Sequence, residues 1–117
     1  MVINHMVFKS AKPLHEIFSD TERWLFGTCE GLWIIEDERI LISAIKNNEP
    51  HNGHFALFMK RIEKTAIKAN KDLYFISFIN QRFKEHLKKC GYVETVVTVK
   101  KDGEITDGVM KQFRGKL

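Results

Sequence analysis

The sequence predicts an α/β (α+β) fold, a mixed central sheet with helices packed on it. Three stretches carry that expectation. "GLWIIEDERILISAIKN" reads as a β-hairpin, because two apolar runs rich in β-branched residues, Leu32 to Ile35 and Ile40 to Ile45, flank the charged turn Glu36-Asp37-Glu38-Arg39. "HFALFMKRIEKTAIKAN" sets Phe55, Phe58, Ile62, Ala66 and Ala69 at spacings of three and four, with Lys60, Arg61, Lys64 and Lys68 opposite. That is an amphipathic helix of about four turns. "DLYFISFIN" is a nearly continuous apolar run, the pattern of a strand covered on both faces and often parallel to its neighbour.

The other elements follow in chain order. "PLHEIFSDTERWLFG" reads as a helix: Pro13 suits a first helical position, Leu14, Ile17, Phe18, Trp24 and Leu25 share a broad stripe, and Gly27 is a stop. "NNEPHNG" is a loop by composition, and Asn70 is a left-handed stop for the long helix. "QRFKEHLKKCG" is a short helix burying Phe83, Leu87 and Cys90, with Gly91 as its cap. "YVETVVTVKKDGEITDGVMKQF" is a second hairpin turning at Asp102-Gly103, with an exposed strand edge that could pair two copies. The expected order is helix, strand, strand, helix, strand, helix, strand, strand, in a single domain over residues 1–117.

Composition narrows the function classes. A hydrophobic fraction of 44% and a charged fraction of 29% are those of an ordinary globular chain with a real core. No run approaches the roughly 18 apolar residues of a membrane span, and the N-terminus lacks the pattern of a signal peptide. A cytoplasmic protein with no membrane partner is the expectation. Cys29 and Cys90 lie far apart and read as reduced core thiols. No metal site is expected: His51 and His54 are three apart with no third ligand near. The net charge of +4 gathers in "MKRIEKTAIKANK", "QRFKEHLKKCG" and "KQFRGKL". These clusters read first as solvated helix faces and second as an attraction for phosphate. Aromatics are not interleaved with them as a base-stacking platform requires, so a nucleic-acid-binding module is the third-ranked function and nucleic acid is not an expected partner.

The candidate site lies in "PHNGHF", Pro50 to Phe55, where a strand runs through a loop into a helix N-terminus. Backbone N–H groups and the helix dipole make such a place receptive to anions. Gly53 would let the backbone approach a phosphate closely, and His51 and His54 could add donors. The plainer alternative is a turn at Gly53 with Asn52 capping the helix.

The stretch Pro50 to Tyr92 resembles the acyl-CoA-binding heart of the GNAT (Gcn5-related) N-acetyltransferase superfamily. In that family a strand ends in a loop patterned Arg/Gln-x-x-Gly-x-Gly/Ala, followed by a long helix, a strand, an Asn, a second helix and a Gly-aromatic pair. Gly53 falls at the first glycine, "ALFMKRIEKTAIKAN" on the helix, "LYFISFIN" on the strand, Asn80 at the strand-end Asn, and Gly91-Tyr92 at the closing pair. The resemblance spans about residues 30 to 105. Three positions depart from it: Pro50 stands at the Arg/Gln, Phe55 at the second Gly/Ala, and Leu87 where many members carry a proton-returning tyrosine.

The resemblance implies an acyl-CoA-dependent N-acyltransferase, weak or degenerate, using acetyl-CoA and an unknown amine acceptor. Asn52, Gly53, His54, Phe55 and Asn80 would bind the cofactor, and Glu49 would be the base, with Glu36, Asp37 and Glu38 as further carboxylate candidates. The chemistry needs a deprotonated amine, a backbone N–H on a splayed strand for the thioester carbonyl, and loop N–H groups for the pyrophosphate. The chain has only about 30 residues before its central hairpin, shorter than the family norm. In this it is similar to small GNAT-like proteins of short-tailed phages, including internal virion proteins. That similarity implies the alternative: a non-catalytic structural or interaction protein with a protein partner or a homo-oligomeric state, in the host cytoplasm or the virion.

Overall fold

The structure is a computed structural model that describes residues 9–10, 22–48, 53–76, 81–99 and 103–116. Seven strands and two helices follow one another as β1 (Lys9–Ser10), β2 (Glu22–Phe26), β3 (Cys29–Ile35), β4 (Arg39–Asn47), α1 (His54–Ala69), β5 (Asp72–Ile76), α2 (Gln81–Lys89), β6 (Val93–Thr98) and β7 (Ile105–Lys111). They build one mixed sheet in the order β1-β2-β3-β4-β5-β7-β6. Pairing is antiparallel throughout except between β4 and β5, which run parallel from Arg39 beside Asp72 to Ser43 beside Ile76. The α+β class, the central hairpin, the long helix, the parallel strand and the C-terminal hairpin all appear where the sequence placed them; the Asp102-Gly103 turn itself falls partly outside the described residues.

One element is corrected. Residues 22–26 form a strand where a helix over 13–27 was expected, and residues 13–21 lie outside the described ones. Two-residue alternation decides it. Trp24 and Phe26 are buried, while Arg23 between them and the strand's start is exposed. Pairing with β3 supplies the backbone partners that a lone five-residue helix could not. Gly27, expected as a helix stop, instead turns the chain from β2 into β3 with φ 59°.

Both helices pack on one face of the sheet. Phe58, Ile62 and Ala66 form the buried row of α1, and Leu87 anchors α2. They meet Trp24, Phe26, Cys29, Ile40, Ile42, Leu73, Phe75, Tyr92 and Val109 in one core. The outer side of α1 carries Lys60, Arg61, Lys64 and Lys68 in solvent, as its period requires. Asn70 closes α1 in the left-handed conformation, φ 57°, with its N–H on the Ile67 carbonyl.

The opposite face holds a second, smaller cluster of Leu41, Ile76, Val97 and Val99 with Ile34 and Tyr74. Strands β4 and β6 are separated by two others, about 14 Å at ordinary strand spacing. Yet the Arg39 guanidinium lies 5.4 Å from the Tyr74 ring centre and its Nη2 donates to the Thr98 carbonyl at 2.6 Å. The sheet therefore curls over this face until the end of β6 meets the start of β4.

Asp72 fastens the C-terminal segment. Its buried carboxylate accepts the backbone N–H of Phe113 at 2.9 Å and of Arg114 at 3.1 Å, and Arg114 Nε at 3.2 Å. Asp72→Ala strands two amides and should cost about 3 kcal/mol in a denaturant melt; Asp72→Asn keeps an oxygen for both amides and should cost about 1 kcal/mol. Equal losses for the two would refute the clamp.

The two thiols differ. Cys29 is buried, and burial pushes its thiol up to about 11. Cys90 is exposed, against the expectation that both are core thiols. It lies just beyond the last residue of α2, with its sulfur 3.7 Å from Nε2 of the exposed His86, and Gly91 at φ 96° turns the chain toward β6. A thiol reagent at pH 8 should titrate one cysteine in the native protein and both in denaturant; rapid loss of both in the native state would contradict this burial.

Candidate functional site

The parallel pair ends at Ser43 and Ile76, and the next residue of β4 departs from regular strand geometry. Glu30 pairs with Lys46 but Leu32 with Ser43, so Ala44 and Ile45 together oppose the single residue Gly31. Ala44 sits at φ 52°, left-handed for a residue with a Cβ, at a local cost of about 1–2 kcal/mol. Gly31 is required there: a Cβ would stand 2.7 Å from Cζ2 of Trp24 and 3.1 Å from the Ser43 carbonyl oxygen. This bulge bends β4 just before the chain leaves for α1.

Gly53 opens α1 at φ 82°, with its carbonyl accepting the Leu57 N–H at 3.2 Å and open space where a Cβ would be. No acidic residue occupies the first turn of α1. Its first N–H groups point out of the helix end, the arrangement that receives an anion.

His54 is committed to the scaffold. Its Nδ1 accepts the Thr28 backbone N–H at 3.1 Å and lies 3.0 Å from the Thr28 hydroxyl. That hydroxyl donates to Asn47 Oδ1 at 2.7 Å, so the lone pair on Nδ1 faces the amide and the ring proton is on Nε2. The histidine thus ties the β2–β3 turn to the start of α1.

Phe55 is half-buried between the helices. Its ring meets Phe83 of α2 edge-on at 4.9 Å, Phe58 at 6.1 Å and His86 at 6.2 Å. Of the sequence-assigned site, Gly53, His54 and Phe55 come together here; Glu49, Asn52 and Asn80 lie outside the described residues. Glu36, Asp37 and Glu38 stand at the other end of β4, about 25–30 Å away along a nine-residue strand. Glu36 pairs with Arg39 at 2.5 Å and Glu38 with Arg114 at 3.5 Å. They bind the hairpin turn and the C-terminus, and distance removes them as bases for this site.

Tyr92 is buried, and its hydroxyl donates to Glu63 Oε2 at 2.6 Å. Burial first, then Glu63, raise its ionisation well above the usual phenol range, so the group stays protonated. Leu87 is fully buried in the core. Sequence reasoning missed Thr28, Asn47 and Glu63. Their partners lie 19 to 29 residues away, and nothing local marks them. Among the described residues no group of three or more His, Cys, Asp or Glu could hold a metal ion.

An acyl-CoA therefore fits in part. The open Gly53 and the first-turn amides suit its pyrophosphate, whereas Phe55, two residues on, is a large ring packed on Phe83 where a small residue would leave room. Compared with protein-family models, curated proteins and solved structures, the chain has no significant match in any of the three. No described helix is long and apolar enough to cross a membrane.

His54→Ala leaves the Thr28 amide without this acceptor. It should cost about 1 kcal/mol and speed exchange of that amide about fivefold, read by hydrogen exchange. His54→Asn retains an oxygen near Nδ1 and should restore protection; equal exchange in both variants would argue against the tie.

Proposed function

We propose that this chain is a GNAT-like domain acting as a non-catalytic structural or interaction protein, with its cofactor seat turned into packing. The succession β4, α1, β5, α2, β6 supports the GNAT-like fold, with β4 and β5 parallel and the register running from Gly53 to Gly91-Tyr92. The observation that carries the non-catalytic reading is Phe55. The family resemblance has glycine or alanine here, small enough not to crowd a pyrophosphate; this chain has a ring seated 4.9 Å from Phe83. His54, held by Thr28, and Leu87, held in the core, point the same way. Similarity to internal virion proteins of short-tailed phages makes a phage particle the proposed setting, with a protein as the partner.

A second reading is favoured by one pair of observations, the open left-handed Gly53 and the bulge at Ala44. On it the chain is an acyl-CoA-dependent N-acyltransferase. Acetyl-CoA would lie against Asn52, Gly53, His54 and Asn80, with Glu49 serving an unidentified amine acceptor, and the Phe55 ring would have to swing aside.

Acetyl-CoA titration separates the two. The non-catalytic reading expects no heat and no thermal shift in the wild-type chain at millimolar acetyl-CoA. A ligand at a hundred times its dissociation constant adds about 2.7 kcal/mol and raises the melting temperature by about 10 °C. A shift of that size in the wild type would overturn the non-catalytic reading. Binding gained only by Phe55→Gly would identify the ring as the block.

A further inference from the structure

Three large apolar side chains on the C-terminal hairpin stand mostly in solvent: Val93 at 64%, Val96 at 65% and Ile105 at 69% exposed. Strand β6 ends the sheet, so its outer rim is an edge among the described strands. The direction of its backbone groups follows from the hairpin bonds. Val99 donates to the Glu104 carbonyl and accepts the Gly103 N–H, so Val99 faces β7. By alternation Val97, Thr95 and Val93 also face β7, and Thr98, Val96 and Glu94 turn theirs outward. The Thr98 carbonyl is taken by Arg39, which agrees with that direction. Glu94 and Val96 are left presenting N–H and C=O groups at the rim.

Edge strands are ordinarily blunted by proline, lysine or a bulge. Strand β6 has none of these: it reads VETVVT and pairs with β7 through six consecutive positions without a shift. Its one charge, Glu94, is already held by Lys84 at 3.1 Å and Lys88 at 2.9 Å from its own chain. The strand is therefore unbroken in register and carries an exposed valine on each face, with Val93 on one side and Val96 on the other.

We propose that two copies of this chain pair antiparallel through β6, about a two-fold axis at Thr95, and so join their sheets into one. That register sets Glu94 of each copy opposite Val96 of the other. It uses the outward groups of both residues in four main-chain hydrogen bonds and brings the two threonines face to face. An axis at Val96 would instead enlist the Thr98 carbonyl, which Arg39 occupies. No like charges oppose one another in the Thr95 register, because Glu94 meets valine. The seam extends apolar contact from Val96 toward Ile105 on the helix-bearing face and from Val93 on the other, and the interface is isologous, so it closes at two copies. The pairing lies at β6 and is independent of what becomes of the seat at Gly53.

Sedimentation equilibrium on the full chain over a range of micromolar concentrations tests it. The expected result is a reversible dimer of twice 13.7 kDa, with the Glu94 and Val96 amides protected from exchange as it forms. Val96→Pro removes the outward N–H, which proline tolerates at an edge, and Val96→Lys places a charge on the seam. Each should raise the dissociation constant at least about tenfold with an unchanged circular dichroism spectrum. A monomer at every concentration would overturn the proposal. So would a dimer that both folded variants retain, since that dimer would use another surface.

Discussion

The helix-bearing face is organised around the side chain of Phe58. It is fully buried, stacks on Trp24 with ring centres 4.5 Å apart and planes 8° from parallel, and meets Phe26 edge-on at 5.9 Å. Each such aromatic pair adds about 0.5–1.5 kcal/mol beyond the apolar area it removes from water. The contact joins α1 to a strand near the far edge of the sheet, and α1 is also the crossover that makes β4 and β5 parallel. Fixing Phe58 therefore fixes where α1 begins relative to the sheet. The Gly31 gap beneath Trp24 and the bulge at Ala44 follow, because the indole occupies the space a Cβ at residue 31 would need.

One turn before Phe58, the same helix presents Phe55 to α2. The aromatic chain then runs from Trp24 through Phe58 and Phe55 to Phe83 and on to Phe75 and Tyr92. This network gives α1 and α2 one shared core, with Phe55 as the residue that joins them. The ring at residue 55 is committed to this packing. The proposal of an interaction protein rests on that commitment. The tie from His54 to Thr28 acts in the same direction, since it uses a helix-start side chain for the scaffold.

The second face is held differently. Arg39 spans from β4 to the Thr98 carbonyl, over Tyr74, and the curl it secures brings Val97 and Val99 onto Leu41 and Ile76. Charge and hydrogen bonding fix the shape there, and apolar contact fills it. The same curl turns the outer side of the hairpin, with Val96 and Ile105, away from the molecule's own core.

The long helix, the central hairpin and the parallel strand were legible because each pattern is local: a 3.6-residue row in Phe58, Ile62 and Ala66, paired β-branched runs, and an apolar run too long for an exposed strand. The stretch Glu22–Phe26 was misread because five residues carry too little periodicity to separate a helix stripe from alternation, and the deciding fact is the pairing of Trp24 with Gly31. Cys90 was misplaced because its spacing from Phe83 and Leu87 fits the buried row, whereas α2 ends at Lys89 and the thiol stands exposed beyond it. For the site, the sequence could name Gly53, His54 and Phe55 as neighbours but not where they point. By itself it determined which segments fold and which side of each faces inward, since propensity and period act over a few residues. Only the tertiary structure decided that His54 serves Thr28, that Phe55 lies on Phe83, and that Arg39 reaches Thr98. Those partners are 26, 28 and 59 positions apart, and only packing brings them together.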